Sequence, residues 1–337
     1  MVNIGIIGFG YWGPNLVRNF SSQKEGVVLA LAESRVERHP QISKIYPEIS
    51  IYSDSSDLIS NVAIDAVVIA TPVFSHYRLA KEALLAGKHV LLEKPMTSSV
   101  DESKELIEIA KSKNLVLMVD HTFLYTGAVQ KMKELIDGNQ IGALKYFDST
   151  RINLGLFQPD INVLWDLAPH DLSILNYLVT FKPYSVNATG VSHTKNGIEN
   201  VAYMTVNYEN DFIAHFNCSW TSPVKVRSTL IGGDAKMLVY NDLEPSEKIR
   251  IYDTGFNHTS DEEKNRIMVD YRTGDVFIPK LSSQEALFGV AYDFIDCIIH
   301  SKEPLAHAEL GLEVVKVLEA SQKSIKNKGK EIIIPTS

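Results

Sequence analysis

The chain has 337 residues, of which 45% are hydrophobic, 22% charged and 9% aromatic. This length and composition indicate two globular domains of ordinary size and exclude a disordered or fibrous protein. No apolar run approaches the ~20 residues of a membrane-spanning helix. The net charge is −8, whereas nucleic-acid-binding proteins are more often basic, and the basic stretch at 323–330 is interpreted as a solvated helix end. We therefore expect neither a membrane nor a nucleic acid as partner.

Two further features bear on the cellular compartment. Residues 1–5 enter a strand pattern at once, without a basic region or a cleavable apolar segment, so we expect no secretion. The two cysteines, Cys218 and Cys297, make neither a disulfide framework nor a metal-binding quartet, and no metal is expected. The expected location is the cytoplasm.

The first ~120 residues alternate strand and helix signals. The predicted strands cover residues 2–7, 27–32, 66–70, 89–92 and 115–119, and the predicted helices cover 11–20, 75–86 and 99–111. Gly87 marks the end of the second helix, and Ser99 with Glu102 matches a capping box that opens the third. Near-continuous apolar strands between amphipathic helices indicate a parallel sheet that is covered on both faces.

After about residue 125 the pattern changes. Predicted helices cover 128–136, 167–178, 283–300 and 307–326, and predicted strands cover 144–150, 185–191, 202–208, 212–220, 227–232, 236–240, 249–252 and 332–334. Short alternating strands with brief polar connectors indicate mostly antiparallel pairing. The sequence thus predicts an α/β chain with a parallel-sheet domain over 1–122 and an α+β domain over 123–337.

A glycine-rich motif follows the first strand and opens the first helix. It is Gly8-Phe9-Gly10-Tyr11-Trp12-Gly13, which is G-x-G-x-x-G. Gly8 permits the tight turn, Gly10 lets the backbone approach a pyrophosphate, and Gly13 lets the helix pack closely on the strand. Glycines also serve ordinary turns. In this position, however, the motif predicts a dinucleotide whose pyrophosphate lies at the helix N-terminus.

An acidic residue stands 20 residues after the last of these glycines. Glu33 ends the second predicted strand, where a carboxylate accepts hydrogen bonds from a ribose diol and repels a 2′-phosphate. The alternative is a solvent-facing Glu in a loop. Ser34 and Arg35 follow, and an Arg at this place is able to accommodate a 2′-phosphate. NAD is the predicted cofactor, and NADP is left open.

Two motifs carry groups suited to proton transfer. Lys94, in Glu93-Lys94-Pro95, follows a predicted parallel strand, and its side chain is expected in the ligand crevice rather than on the surface. Asp166 and His170 are four residues apart and share one helix face, which makes them a candidate proton-transfer pair. A capping Asp and a core His are the alternative. Pro169 is tolerable only in a first helical turn, so we expect Asp166 at the helix start.

Together these motifs resemble the glucose–fructose oxidoreductase / inositol dehydrogenase family (Gfo/Idh/MocA) over nearly the whole chain. The matching stretches are Gly8–Gly13, Ala70-Thr71-Pro72 with His76, residues 86–90, Glu93-Lys94-Pro95, and Asp166 with His170. The resemblance implies a Rossmann domain followed by a domain with a large open sheet. It implies that Lys94 contacts the reacting hydroxyl and the nicotinamide, that His170 and Asp166 transfer the proton, and that Glu93 lies near the nicotinamide ribose. The stretch from Ala70 to His76 is implied to line the cofactor pocket.

The chain departs from the family pattern at three places that bear on the substrate. Ala168 stands where Gly is common, Ser173 where Asp is frequent, and residues 120–125 where an Asn and an Arg often occur. The segment 151–162 resembles the subgroup of nucleotide-sugar and surface-polysaccharide pathways. Arg151 is a candidate partner of a diphosphate or carboxylate. Three further polar residues are candidate partners of sugar hydroxyls, unless they belong to an ordinary polar loop: Tyr125, Asn153 and Asn162.

The predicted reaction is hydride transfer between a nicotinamide and a sugar ring carbon, with a UDP-N-acetylhexosamine oxidised at C3 as the leading substrate. Three alternatives remain at this point: an NADPH-dependent keto-deoxysugar reductase, a non-catalytic NAD-sensing protein, and a methyltransferase. The last does not explain Glu93-Lys94-Pro95 or the second domain. A homodimer or homotetramer is expected through the second domain's sheet, because residues 212–218 alternate apolar with polar or small side chains.

Overall fold

The computed structural model describes residues 1–155, 157–257, 270–272 and 274–335. The chain forms two compact units. The first contains Met1–Thr126 and Gln284–Lys316, and the second contains Gly127–Ser283 and Val317–Ser337. The predicted domain boundary at 122/123 stays a prediction, and the return of residues 284–316 to the first unit was not foreseen.

The first unit is built on a six-stranded parallel sheet. Its strands are β1 (Val2–Ile7), β2 (Gly26–Ala32), β3 (Ser50–Tyr52), β4 (Ala66–Ile69), β5 (His89–Leu92) and β6 (Leu117–Val119). The order is β3-β2-β1-β4-β5-β6, and every pair is parallel. The order reverses between β1 and β4, which is the place where open α/β sheets bind ligands. The predicted doubly wound sheet is confirmed.

Helices connect these strands. They are α1 (Gly13–Ser21), α2 (His39–Ile45), α3 (Ser55–Ser60), α4 (His76–Leu85) and α5 (Val100–Ser112), followed later in the chain by α8 (Ala286–His300). Ser99 is confirmed as the N-cap of α5, because its side chain accepts a hydrogen bond from the Glu102 N–H, whereas the Glu102 carboxylate accepts one from the Ser98 N–H at 3.2 Å. Sequence analysis missed α2, β3 and α3, which are only three to seven residues long and so show little periodicity.

The second unit contains a nine-stranded sheet. Its strands are β7 (Leu144–Leu154), β8 (Pro183–Val191), β9 (Val201–Tyr208), β10 (Ile213–Ser219), β11 (Thr221–Gly233), β12 (Met237–Asn241), β13 (Ile249–Tyr252), then β16 (Val276–Phe277) and β17 (Ile332–Ile333). Two short strands, β14 (Gly255–Asn257) and β15 (Asp270–Arg272), pair separately. The order is β16-β13-β12-β11-β7-β10-β9-β8-β17. Among the described strands of this sheet, only β7 and β10 pair in parallel. The mostly antiparallel sheet is confirmed.

Helix α6 (Gly127–Asp137) and helix α7 (Val163–Leu178) belong to this unit, and α9 (Ala308–Lys326) contributes its C-terminal part. Helix α7 begins at Val163 rather than at 167, because the Asn162 side chain accepts hydrogen bonds from the N–H groups of Leu164 and Trp165. Asp166 lies in the first turn as predicted, but Pro169 lies one turn further on, so the expectation for the proline was wrong. Among the described helices, none combines the length and apolarity needed to cross a membrane.

Candidate cofactor and active site

The glycine loop after β1 has the geometry that a dinucleotide requires. Gly8 has φ +96°, and a Cβ there would lie 2.5 Å from the Ala70 carbonyl oxygen. A Cβ on Gly13 would lie 2.9 Å from the Gly8 carbonyl oxygen. At Gly10, in contrast, no heavy atom of the described chain lies within 4 Å of an added Cβ. The loop therefore keeps open space at the glycine predicted to face the pyrophosphate.

Glu33 lies next to this loop, at the end of β2. Its carboxylate accepts hydrogen bonds from the Phe9 N–H at 3.2 Å and from the Arg35 N–H at 3.0 Å. The Arg35 guanidinium donates two more, at 2.7 and 2.8 Å. Burial raises the pKa of Glu33, but the hydrogen bonds and charge of Arg35 outweigh it and lower the pKa to about 2. Glu33 is therefore a fixed anion beside the glycine loop.

A cavity of about 700 Å³ opens between the loop and Glu33. Its lining includes most of the predicted cofactor residues: Gly8, Phe9, Gly10, Glu33, Ser34, Arg35, Ala70, Thr71 and Pro72. Tyr11 and Trp12 are exposed, at 85% and 46%. Their contact with a cofactor stays a prediction. The donors, the open glycine and the acidic end of the cavity fit a dinucleotide.

His76 connects this cavity with the end of β5. Its ring is 1% exposed, with Nε2 2.8 Å from the Thr71 carbonyl oxygen and Nδ1 3.0 Å from the Pro95 carbonyl oxygen. Burial, together with the nearby Lys94 charge, lowers the pKa of His76. The imidazole thus fixes the loop that carries Lys94 against the loop that lines the cofactor cavity.

Two acidic side chains meet at the ends of β5 and β6. Glu93 and Asp120 follow Leu92 and Val119, which are paired in register, and the Asp120 N–H donates to the Leu92 carbonyl oxygen at 2.7 Å. Thr122 Oγ1 donates to Asp120 at 2.6 Å, and the Lys94 N–H donates to Glu93 at 3.3 Å. Burial raises the pKa of both groups, and the Asp120 charge raises that of Glu93 further. Sequence analysis recorded Asp120 only as part of a departure from the family pattern.

His121 follows Asp120 and is only 1% exposed. Burial, with the charges of Lys94 and His307, lowers its pKa to about 3, so the ring is neutral. Within the described chain, neither ring nitrogen has a hydrogen-bond partner. Sequence analysis did not select this residue, because a lone His after a strand carries no periodic signal.

In the second unit, α7 presents the predicted proton-transfer residues. Asp166 and His170 are both half-buried on this helix. Trp220 is 1% exposed, and its indole Nε1–H donates to Asp166 Oδ2 at 2.9 Å. Trp220 is a residue that sequence analysis missed, although a buried indole N–H regularly needs an acceptor.

Three of the predicted substrate residues have roles within the fold. Arg151 is 3% exposed and pairs bidentately with Asp171 at 2.8 and 2.7 Å. Asn162 caps α7, and its amide donates to Glu199 and Gln322. The Tyr125 hydroxyl donates to Asp293 at 2.6 Å. Asn153 is half-buried in β7. Substrate binding by these four residues stays a prediction.

This fold and this cavity define a dinucleotide-binding α/β protein, and comparison with known families agrees. Residues 2–121 match the family described as "Oxidoreductase family, NAD-binding Rossmann fold", and residues 129–239 match the "GFO/IDH/MocA C-terminal domain". The chain belongs to the Gfo/Idh/MocA family of NAD-binding oxidoreductases.

The chain is 31% identical over 207 residues to UDP-N-acetylglucosamine 3-dehydrogenase of Acidithiobacillus ferrooxidans, covering 60% of this chain and 63% of that protein. It is 30% identical over 200 residues to the uncharacterized oxidoreductase YdgJ of Escherichia coli K12, covering 56% of each. The matched stretches thus span less than two thirds of these relatives.

Solved structures resemble the fold over almost its full length. A levoglucosan dehydrogenase in complex with NADH and L-sorbose has a TM-score of 0.84 at 20% identity, covering 99% of each chain. The structure of the Acidithiobacillus ferrooxidans enzyme has a TM-score of 0.78 at 23% identity, covering 96% of this chain and 98% of that one. At these identities the likeness establishes the fold.

Proposed function

We propose that the protein is a sugar dehydrogenase that transfers hydride between a nicotinamide cofactor and a ring carbon of a nucleotide sugar. The observation that carries the proposal is the position of Lys94. It follows β5 at the carboxyl edge of the sheet, and His76 fixes its loop to the loop of the cofactor cavity. The leading substrate is a UDP-N-acetylhexosamine oxidised at C3, supported by the relative that is named a UDP-N-acetylglucosamine 3-dehydrogenase.

The chain's own groups supply proton transfer and charge stabilisation. A nicotinamide cofactor held by the glycine loop and Glu33 would supply the hydride chemistry. We assign to Lys94 the stabilisation of negative charge on the substrate oxygen, and to His170 the role of base for the hydroxyl proton. Asp166 orients His170, and its own carboxylate is held by the Trp220 indole. These roles make Lys94, Asp166 and His170 the proposed catalytic residues.

The ionised Glu33 favours NAD over NADP. Its carboxylate lies in the cavity and is suited to accept hydrogen bonds from the adenosine ribose, while its charge repels a 2′-phosphate. The Arg35 guanidinium already pairs with Glu33. The second candidate, an NADPH-dependent keto-deoxysugar reductase, is favoured by one observation. Arg38 lies 3.7 Å from Glu33, so two guanidinium groups are near the place of a 2′-phosphate.

We further propose a homodimer or homotetramer that forms through the nine-stranded sheet. On β10, Ala214, Phe216 and Cys218 are buried, whereas Ile213 is 45% exposed. On the neighbouring strand, Tyr203 is 48% exposed and stacks on His215, whose ring centroid is 6.5 Å away. A second copy would cover this face. A monomer mass at micromolar concentration by light scattering would contradict this proposal.

The reaction is tested by incubating the protein with NAD or NADP and a panel of UDP- and dTDP-sugars. We expect absorbance at 340 nm to rise with NAD and a UDP-N-acetylhexosamine. A fall in absorbance at 340 nm, seen only with NADPH and a keto-deoxysugar, would support the second candidate. Binding of NAD without turnover of any sugar would favour a sensing protein and contradict the proposal.

A further inference from the structure

The proposed reaction leaves unused the pair of carboxyl groups at the ends of β5 and β6. Leu92 and Val119 are paired in the parallel register, so Glu93 and Asp120 are neighbours at the same edge of the sheet. The Asp120 N–H donates to the Leu92 carbonyl oxygen at 2.7 Å, which places Asp120 directly beside Glu93. Asp120 is 3% exposed and is also fixed by Thr122 at 2.6 Å. The arrangement is therefore built by the fold rather than by mobile surface side chains.

Two neighbouring carboxyl groups cannot both be ionised at low cost, because their like charges repel each other and burial penalises each charge. The groups that face the pair come from several elements. Lys94 follows β5 and supplies a positive charge, His121 follows β6 as a neutral ring, and Tyr125 lies in the turn after it. One cation facing two carboxyls favours a single negative charge, so the pair retains one proton near neutral pH.

The pair lies where the second half of a dinucleotide is expected. The glycine loop and Glu33 occupy the β1 and β2 end of the crevice. A dinucleotide with its adenosine at Glu33 and its pyrophosphate at the loop extends toward β4 and β5. His76 ties the loops after these two strands together. The nicotinamide ring is positively charged in NAD+ and neutral in NADH, so a nearby charge discriminates between them.

We propose that Glu93 and Asp120 form a one-proton switch that makes the preference for the oxidised over the reduced cofactor depend on pH. The inference rests on the proposed function, because it needs the nicotinamide at this end of the crevice. When the shared proton is lost, the second negative charge strengthens the binding of NAD+ relative to that of NADH. In this step a carboxyl O–H bond breaks and its proton passes to solvent, and no electrons are exchanged with the cofactor.

The test measures dissociation constants of NAD+ and NADH on the full chain at pH 6.5 and pH 9, by NADH fluorescence and competition. We expect the ratio Kd(NADH)/Kd(NAD+) to rise roughly 3–10-fold in the wild type, as a coupling of about half to one pKa unit requires. In Asp120→Asn, which keeps the shape but removes the titrating partner, the ratio should stay constant. Asp101→Asn, an exposed carboxyl of α5, is the matched control and should follow the wild type.

A second variant tests the inference even if Asp120→Asn does not fold. Thr122→Val removes a donor that stabilises ionised Asp120, so the rise should move to higher pH while both carboxyls remain. A constant ratio in the wild type, or an unchanged rise in Asp120→Asn, would overturn the inference. If both cofactors bind but their ratio never changes with pH, the proposed function survives and the switch fails. If neither cofactor binds, the proposed function itself fails.

Discussion

Glu33 and Glu93 are residues of one type in matching places, and they carry opposite electrostatics. Each follows a strand of the same parallel sheet, at the carboxyl edge. The Arg35 guanidinium donates two hydrogen bonds to the Glu33 carboxylate and lowers the pKa of that carboxyl to about 2. The Glu93 carboxyl instead lies beside Asp120, and burial together with the Asp120 charge raises the pKa of Glu93. The neighbouring side chain, rather than the position in the fold, therefore determines which carboxyl stays ionised and which retains a proton.

The largest effect is expected on turnover, when a proposed catalytic side chain is removed. Lys94→Ala or His170→Ala should lower turnover by roughly 10²–10⁴-fold, as the loss of a positioned proton-transfer group does. The affinity for NAD should change little, because we propose that the adenosine and pyrophosphate are recognised at the Glu33 end. Lys113→Ala, an exposed lysine after α5, is the control. Full activity in both variants would show that the site is misplaced.

The glycine loop offers a matched pair of substitutions. Gly8→Ala should lower the free energy of unfolding by about 1–3 kcal/mol, because φ is +96° and the new Cβ meets the Ala70 carbonyl. Gly10→Ala places its Cβ in open space and should leave stability unchanged while weakening NAD binding. Urea unfolding and a binding titration separate the two. Equal stability losses would contradict the assignment of Gly10 to the pyrophosphate.

Removing the charge of Glu33 should weaken the preference for NAD over NADP. Glu33→Gln should weaken NAD binding and shift the NAD-to-NADP affinity ratio about tenfold toward NADP, equal to about 1.4 kcal/mol. Glu37→Gln, an exposed acid nearby, should leave the ratio unchanged. A wild-type protein that binds NADP tenfold more tightly than NAD would refute the assignment.

A further effect is expected on stability. A carboxyl whose pKa is raised in the folded state binds more protons when folded, so its contribution is full below the unfolded pKa and is lost as pH rises through the folded pKa. For Glu93 this loss is complete once the pH exceeds the folded pKa of about 8. Between pH 6.5 and pH 9 the wild type should lose about 2 kcal/mol through the pair, and Asp120→Asn should lose less. Urea midpoints at the two pH values measure the difference, and equal slopes would contradict the shared proton.

The Glu33 site and the Glu93 site also differ in how much of their structure could be predicted from the sequence. The glycine loop and Glu33 were predicted because their chemistry follows from one short motif and one fixed spacing. The contact of Glu93 with Asp120 depends on the register of β5 and β6, which no local pattern encodes. The hydrogen bond from Trp220 to Asp166 joins residues 54 apart.

Helix α7, which carries the proposed proton-transfer residues, was also predicted only in part. The sequence predicted that Asp166 lies near its start, but the proline rule placed that start four residues too late. The cap supplied by Asn162 decided the boundary instead. The ion pair between Arg151 and Asp171, 20 residues apart, was likewise not recognisable from spacing, and the contact of Arg151 with a diphosphate or carboxylate stays a prediction.

The central claim, that two equivalent glutamates differ in charge because of their partners, is tested most directly by a titration of side-chain carboxyl carbons. The protein is labelled with ¹³C at Glu and Asp side chains, and Glu33→Gln, Glu93→Gln and Asp120→Asn assign the signals. We predict that Glu33 remains ionised down to the acid limit of the folded protein, while Glu93 titrates together with Asp120 and loses the last proton near pH 8. Separate titrations of Glu33 and Glu93, both at the ordinary glutamate pKa of about 4.3, would contradict the account.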